Sequence, residues 1–308
     1  MSAPRRKKRA ARSRPSVLVV YKKSAYQRLV IEKQNRRVQR LLTDGDRAVS
    51  RIRDAHDSHV GTVEEARAIL KQLGVRATYR HLSSLRRGFG AYDLVITLGG
   101  DGTLLGASHY VGRDAPMVAI NTAPQDSVGY FCAGTRGDIE AILSKAISGK
   151  LRATSLTRMA VELEDKVLST RILNDALFSH SCPAATTRYF IRRDDLVEEH
   201  KSSGIWIGPA AGSTAAQRSA GGRVLPLRSE KLQYVVRELY EPHGENSLRL
   251  LKGLLAPGES LEIRSKTPTG RLYLDGPHRT HEVALGDMIR FRRSEDPLTL
   301  LGLHRRKK

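Results

Sequence analysis

The chain has 308 residues, 40% of them hydrophobic, and a formal net charge of +21; this is enough apolar material for one large core or two smaller ones and excludes a fibrous or extensively disordered protein. No apolar run approaches the roughly 20 residues a membrane-spanning helix needs, and no signal-type apolar segment follows the basic N-terminus, so a cytoplasmic protein without a membrane partner is expected. The two cysteines, Cys132 and Cys182, are far apart and in no metal-type spacing, which excludes a disulfide framework and a zinc knuckle.

Much of the charge lies at the ends: residues 5–14 hold seven basic side chains and no acid, and Arg305, Arg306, Lys307 and Lys308 close the chain. Residues 1–15 and 304–308 therefore read as basic, disordered tails. They suit weak polyanion binding by counterion release, but 5% aromatic content and the lack of a recognisable nucleic-acid module provide no basis for specific nucleic-acid recognition.

"SVLVVY" (16–21) predicts a buried strand, and 26–42, with apolar residues at near-helical spacing, predicts a helix after it. Thr62 as N-cap, Glu65 as capping-box partner and Gly74 as terminator predict a helix over 62–74. "DLVITL" (93–98) and "PMVAIN" (116–121) read as parallel strands covered on both faces, and 136–149 as a helix ended by Gly149. From about residue 150 the pattern alternates: Glu164-Asp165-Lys166 reads as a hairpin turn, 192–203 as a solvated excursion, and several later segments as short strands. His56 and His59 have no third ligand nearby, so no metal is assigned to them.

Between the strand 93–98 and the next helical pattern stands Gly99-Gly100-Asp101-Gly102-Thr103. Glycines there let the backbone turn tightly and bring N–H groups to a ligand, while the following helix presents its positive end, which is chemistry for phosphate. Neither a Walker A loop nor a G-x-G-x-x-G pattern is present. Asp101 repels phosphate and so needs another purpose: an N-cap, a general base on a hydroxyl, or a metal-orienting group. The residues alone leave these alternatives open.

GGDGT after an apolar strand resembles the signature shared by NAD kinases, diacylglycerol and sphingoid lipid kinases and 6-phosphofructokinases. Three further segments resemble NAD kinases in particular. "LNDALFSH" carries Asn174-Asp175 like the family's Asn-Glu/Asp pair; "SSGIWIGPAAGSTAAQRSAGG" (202–222) matches its long glycine-rich segment at Gly204, Gly212, Ser213, Thr214, Ala215 and Ser219 to Gly222; and Asp275-Gly276 follows a strand, with Gly286-Asp287 and Arg293-Ser294 downstream. The resemblance spans about residues 16–303.

It implies an α/β, Rossmann-like N-terminal domain over 16–148, rejoined by the returning segment 286–303, and a β-rich, β-sandwich-like C-terminal domain over 149–285, with the site between them. It implies transfer of the γ-phosphoryl group of ATP to the 2′-hydroxyl of the adenosine ribose of NAD, with Mg²⁺ or another divalent cation carried by ATP. Gly99, Gly100, Gly102 and Thr103 would meet phosphates, and Asp101 would be catalytic. Asn121, Asn174, Asp175, Thr214, Ala215, Ser219 and Asp275 would bind NAD, in a homo-oligomer, dimer or tetramer.

The chain departs from the family pattern at Ala216, where Tyr is usual, at Ser203, where Asp is usual, and at Gly208 to Ala211, where S-T-P-T is usual. The longer segment from Asn121 to Gly129 looks closer to the mitochondrial-type branch. These departures leave NAD against NADH open and keep an NAD-binding sensor as an alternative. A lipid kinase of the same superfamily would carry an acid with an Asn-Gly shortly after GGDGT and a hydrophobic pocket for acyl chains; "LLGASHYVGRDAP", with Asp114 but no Asn-Gly, offers neither feature.

Overall fold

The computed structural model describes residues 15–86, 91–240 and 248–303; of the tails expected over 1–15 and 304–308, all but residue 15 lie outside them. The chain divides into two compact units, one of residues 1–110, 114–153 and 301–308, the other of 111–113 and 154–300. Of the stretch 286–303 expected with the first domain, 286–300 fall in the second unit and 301 onward in the first.

In the first unit, β1 (Ser16–Tyr21), β2 (Arg76–His81), β3 (Leu94–Leu98), β4 (Met117–Asn121) and the short β5 (Gly134–Thr135) pair in parallel. The spatial order is β2-β1-β3-β4, with β5 beside β4. All five residues of β3 and of β4 are buried, as their unbroken apolar runs require of strands covered on both faces. The helices are α1 (Arg36–Thr43), α2 (Ile52–Gln72), α3 (Asp101–Ser108) and α4 (Ile139–Ile147). Val63, Ala66, Ile69 and Leu70 of α2 and Ile139, Ile142 and Leu143 of α4 share a core with Val17, Val19, Ile96 and Ile120 of the sheet.

Two expected helices have different bounds. The helix of 26–42 is broken into a π-helical segment, Gln27–Glu32, and α1, because Gln34 adopts φ +46 and the Asn35 side chain caps α1 by accepting from Val38 N. The helix of 62–74 starts ten residues earlier, at Ile52: Thr62 is interior, its hydroxyl donating to Ser58 O, and Glu65 pairs with Arg136. Gly61 lies inside the helix, with the Arg136 guanidinium 2.8 Å from where a Cβ would stand. Gly74 ends it at φ +65 as expected.

The second unit holds β6 (Ala153–Leu156, straddling the division), β7 (Met159–Leu163), β8 (Lys166–Ile172), β9 (Ala176–His180), β10 (Thr187–Arg193), β11 (Leu196–Ser202) and β12 (Gly204–Pro209). A short helix α5 (Ala216–Ser219) precedes β13 (Leu232–Arg237), β14 (Lys252–Leu255), β15 (Ser260–Ser265), β16 (Gly270–Leu274), β17 (Thr280–Val283), β18 (Met288–Arg293) and β19 (Leu298–Leu301, which like β6 straddles the division). Two antiparallel six-stranded sheets, β11-β10-β15-β18-β7-β8 and β14-β13-β12-β9-β16-β17, enclose one core. Phe178 of β9 meets Tyr189 of β10 edge to face, with ring centroids 5.9 Å apart. The stretch 192–203, expected as a solvated excursion, is part of a hairpin: Asp194 turns at φ +52, and the alternation of exposed and buried side chains along β11 suits an edge strand.

One polar side chain ties this unit together. Arg158 is fully buried and donates to the carbonyls of Val111, Asp296 and Pro297 at 2.6–3.2 Å while pairing with Asp296 Oδ1 at 2.9 Å. Arg171 holds the other oxygen of Asp296 at 2.8 Å. Burial draws the Arg158 pKa down to about 10, which leaves the guanidinium charged at neutral pH.

Candidate active site

In the first unit β3 delivers the chain into Gly99, at φ +154, and Gly100, which is the N-cap of α3. A Cβ on Gly99 would lie 2.2 Å from Thr103 Oγ1, and one on Gly100 2.3 Å from Ser127 Oγ; one on Gly102 would meet nothing within 4 Å. The first two glycines are thus demanded by packing, whereas Gly102 leaves its backbone approachable. Thr103 is buried, its N–H bonded to Gly100 O at 2.9 Å. The first turn of α3 and its positive dipole end face this loop.

Asp101 is not a cap, because Gly100 holds that position. Its Oδ2 accepts from Tyr130 N and its Oδ1 from Phe131 N, both at 2.8 Å. The carboxylate therefore fastens the segment 130–131 to the start of α3. Asn121 acts inside the same loop: its Nδ2 donates to Ser127 O at 2.8 Å and its Oδ1 accepts from Ala123 N at 3.2 Å.

The two histidines singled out in sequence turn to different partners. His56 Nδ1 meets Ser24 Oγ at 2.8 Å. His59 is buried, with Nε2 2.9 Å from Lys22 O and Nδ1 3.0 Å from Thr122 Oγ1. The carbonyl can only accept, so Nε2 carries the proton and Nδ1 accepts from the threonine hydroxyl. Burial pushes the pKa of His59 down to about 4, consistent with this neutral bridge between the ends of β1 and β4.

In the second unit Asn174 and Asp175 occupy a turn between β8 and β9. The N–H groups of Leu173, Asn174 and Asp175 all reach the Asp275 carboxylate, at 2.9, 2.7 and 3.0 Å. Asn174 Nδ2 donates to Asp175 Oδ2 at 2.8 Å. Burial first, and then the charge of Asp275, push the Asp175 pKa from its ordinary 3.8 up to about 7.

The unfolded chain loses the Asp175 proton near pH 4 and the folded chain near 7, so stability falls as pH rises between them and is lowest above 7. Asp175→Asn removes the dependence. Denaturant titrations should find the variant more stable than wild type at pH 8, by up to about 4 kcal/mol, with the difference vanishing toward pH 4.

Thr214 ends a 3₁₀ turn, Ala210–Thr214, that continues through Ala215 into α5, which ends at Ser219. Thr214 is half-buried, while Ala215 and Ser219 are exposed. Gly212 and Gly208 back directly onto the 174–175 turn: a Cβ on Gly212 would sit 1.7 Å from Asn174 O. The sequence reading missed Gln217, fully buried, whose Nε2 reaches Asn174 O at 3.4 Å and whose Oε1 accepts from Gln233 at 3.0 Å. Its only signal was a polar residue inside the glycine-rich segment. Among the described residues no three His, Cys, Asp or Glu side chains converge on a metal position. No helix there is long and apolar enough to cross a membrane.

A glycine-built loop at a helix N-terminus, in an α/β unit of a chain whose second unit is a β-sandwich, is an arrangement suited to an anion such as phosphate. Residues 9–150 match the family model of the ATP-NAD kinase N-terminal domain. The chain is 32% identical over 252 residues to a protein described as a probable NADH kinase of Oryza sativa subsp. japonica, covering 75% of this chain and 77% of that one. It is 34% identical over 219 residues to the NADH kinase of Arabidopsis thaliana, covering 64% and 68%, and 26% identical over 219 residues to the NAD kinase of Chloroherpeton thalassium, covering 70% and 74%. In fold it is similar to an NAD kinase from Archaeoglobus fulgidus solved in complex with ATP, with a TM-score of 0.66 and 19% identity over 94% of each chain. It is also similar to yeast NADH kinase complexed with NADH, with a TM-score of 0.64 and 16% identity over 94% of this chain and 84% of that one. The chain belongs to the NAD kinase family, and it is a kinase.

Proposed function

We propose that the protein transfers the γ-phosphoryl group of ATP to the 2′-hydroxyl of the adenosine ribose of NAD, giving NADP and ADP. The bond from the 2′-oxygen to phosphorus forms as the bridging bond to the β-phosphate breaks, and the hydroxyl proton leaves. The observation that carries this reading is the Gly99–Thr103 loop, in which Gly99 and Gly100 are packed where a side chain cannot fit, Gly102 leaves its backbone open, and the helix start is suited to phosphate. Phosphoryl transfer requires positioning and charge neutralisation more than covalent help. Gly99, Gly100, Gly102 and Thr103 would approach the phosphates.

Asp101 would orient the 2′-hydroxyl and receive its proton. Each of its oxygens already accepts one backbone N–H and retains a second lone pair for that purpose. Asn174 and Asp175 would bind the nucleoside and a ribose hydroxyl, beside a wall formed by Thr214, Ala215 and Ser219. No three His, Cys, Asp or Glu side chains of the described residues converge on a metal position, and the divalent cation would arrive on the triphosphate.

NADH is the second acceptor to consider, because two relatives at 32% and 34% identity are described as NADH kinases. Parallel assays with NAD and NADH decide between them. The reading expects 2′-phosphorylated product from at least one, with NAD the better acceptor by kcat/KM; a preference for NADH would move the assignment to that substrate.

A further inference from the structure

We propose that Asp275 is a positioning residue for the dinucleotide site: it builds the Asn174–Asp175 turn and makes no contact with the substrate itself. This replaces the direct contact implied by resemblance, and it rests on the phosphoryl-transfer reading above. The Asp275 Oδ1 accepts from Asn174 N at 2.7 Å and from Asp175 N at 3.0 Å, its Oδ2 accepts from Leu173 N at 2.9 Å, and its own N–H donates to Asp175 O at 2.8 Å. A regular strand points successive N–H groups to alternate sides. Three consecutive ones can converge only where the chain leaves strand geometry, and they then form a nest for an anion. Here the protein supplies that anion from 100 residues away.

Asp275 holds φ +50, a conformation that Asp and Asn tolerate better than most residues. From the opposite side the turn is held by close backbone approach. A Cβ on Gly208 would lie 2.4 Å, and one on Gly212 1.7 Å, from Asn174 O, to which Gln217 Nε2 also reaches. The turn has no room to rotate, so the Asn174 and Asp175 side chains are fixed before any ligand arrives. The groups facing Asp175 are the uncharged Asn174, the backbone of Gly208 in β12 and the Asp275 carboxylate. Asp275 is thus both the anchor of the turn and the charge acting on Asp175.

Asp275→Asn separates these roles from simple folding, because Asn accepts the same backbone conformation and keeps one acceptor oxygen. Losing the other oxygen should raise KM for the dinucleotide about ten- to a hundredfold with KM for ATP nearly unchanged, since small misplacement of binding groups has effects of that size. Losing the charge should move the pH transition of dinucleotide binding down by about one unit, and this movement should disappear when Asp175 is also changed to Asn. Asp275→Glu keeps the charge but displaces it, so KM should rise with the pH transition in place. Dinucleotide KM and pH transition both at wild-type values in Asp275→Asn would overturn the proposal, as would an equal rise in KM for ATP. If Asp275→Asn does not fold, an unchanged KM in Asp275→Glu overturns it. If the wild type forms no phosphorylated product, the phosphoryl-transfer reading fails, and calorimetric titration with NAD applies the same criteria to Kd.

Discussion

Asp101→Asn is expected to lower the maximal rate of NADP formation by about 10²- to 10⁴-fold, the range associated with a lost general base. Binding of NAD should change little by comparison. Asn cannot take the hydroxyl proton, and it is also an imperfect replacement in the loop. The carboxylate presents an acceptor to Tyr130 N and another to Phe131 N, whereas the amide presents one acceptor and turns its NH₂ toward the second N–H. That local mismatch should lower stability by about 1–3 kcal/mol, so thermal melts must accompany the kinetics. A variant that is folded at the assay temperature and retains more than a tenth of the wild-type rate would remove Asp101 from the chemistry and leave it as the fastening of segment 130–131.

The largest stability effect is expected at Arg158. Arg158→Met keeps the volume of the stem but strips the carbonyls of Val111, Asp296 and Pro297 of their donor and leaves Asp296 with Arg171 alone. Breaking a buried ion pair from one side costs about 3–5 kcal/mol, mostly because the surviving polar groups stay buried without compensation. Urea unfolding followed by fluorescence and by far-UV circular dichroism should show this loss. A loss under 1 kcal/mol would mean that the strap through 111, 158 and 296–297 does not carry the load assigned to it.

The parts of the structure legible in the sequence are those fixed by local sterics and periodicity. The runs 16–21, 93–98 and 116–121 could only be strands buried on both faces, and Gly99-Gly100 marked a turn whose neighbours, Thr103 and Ser127, leave no room for a Cβ. What was not legible depended on partners distant in sequence. Asp101 could be read as a cap or a base, but not as the acceptor for residues 29 and 30 positions later. Nothing near Asp275-Gly276 in the sequence signals that its carboxylate accepts from Leu173, Asn174 and Asp175, about 100 residues earlier. Arg158 carries no local sign of burial, since arginine is ordinarily exposed. The start of α2 differs from the expected one because Gly61-Thr62 imitates a helix boundary, whereas the helix runs through both residues from Ile52.

The most direct measurement is product formation by the purified wild-type chain supplied with Mg²⁺, ATP and either NAD or NADH, with the product identified by mass and by a 2′-phosphate-specific dehydrogenase. The account predicts one NADP or NADPH formed for each ATP converted to ADP. Dinucleotide binding without any phosphorylated product from either acceptor would contradict it and make the chain an NAD-binding sensor on a kinase scaffold.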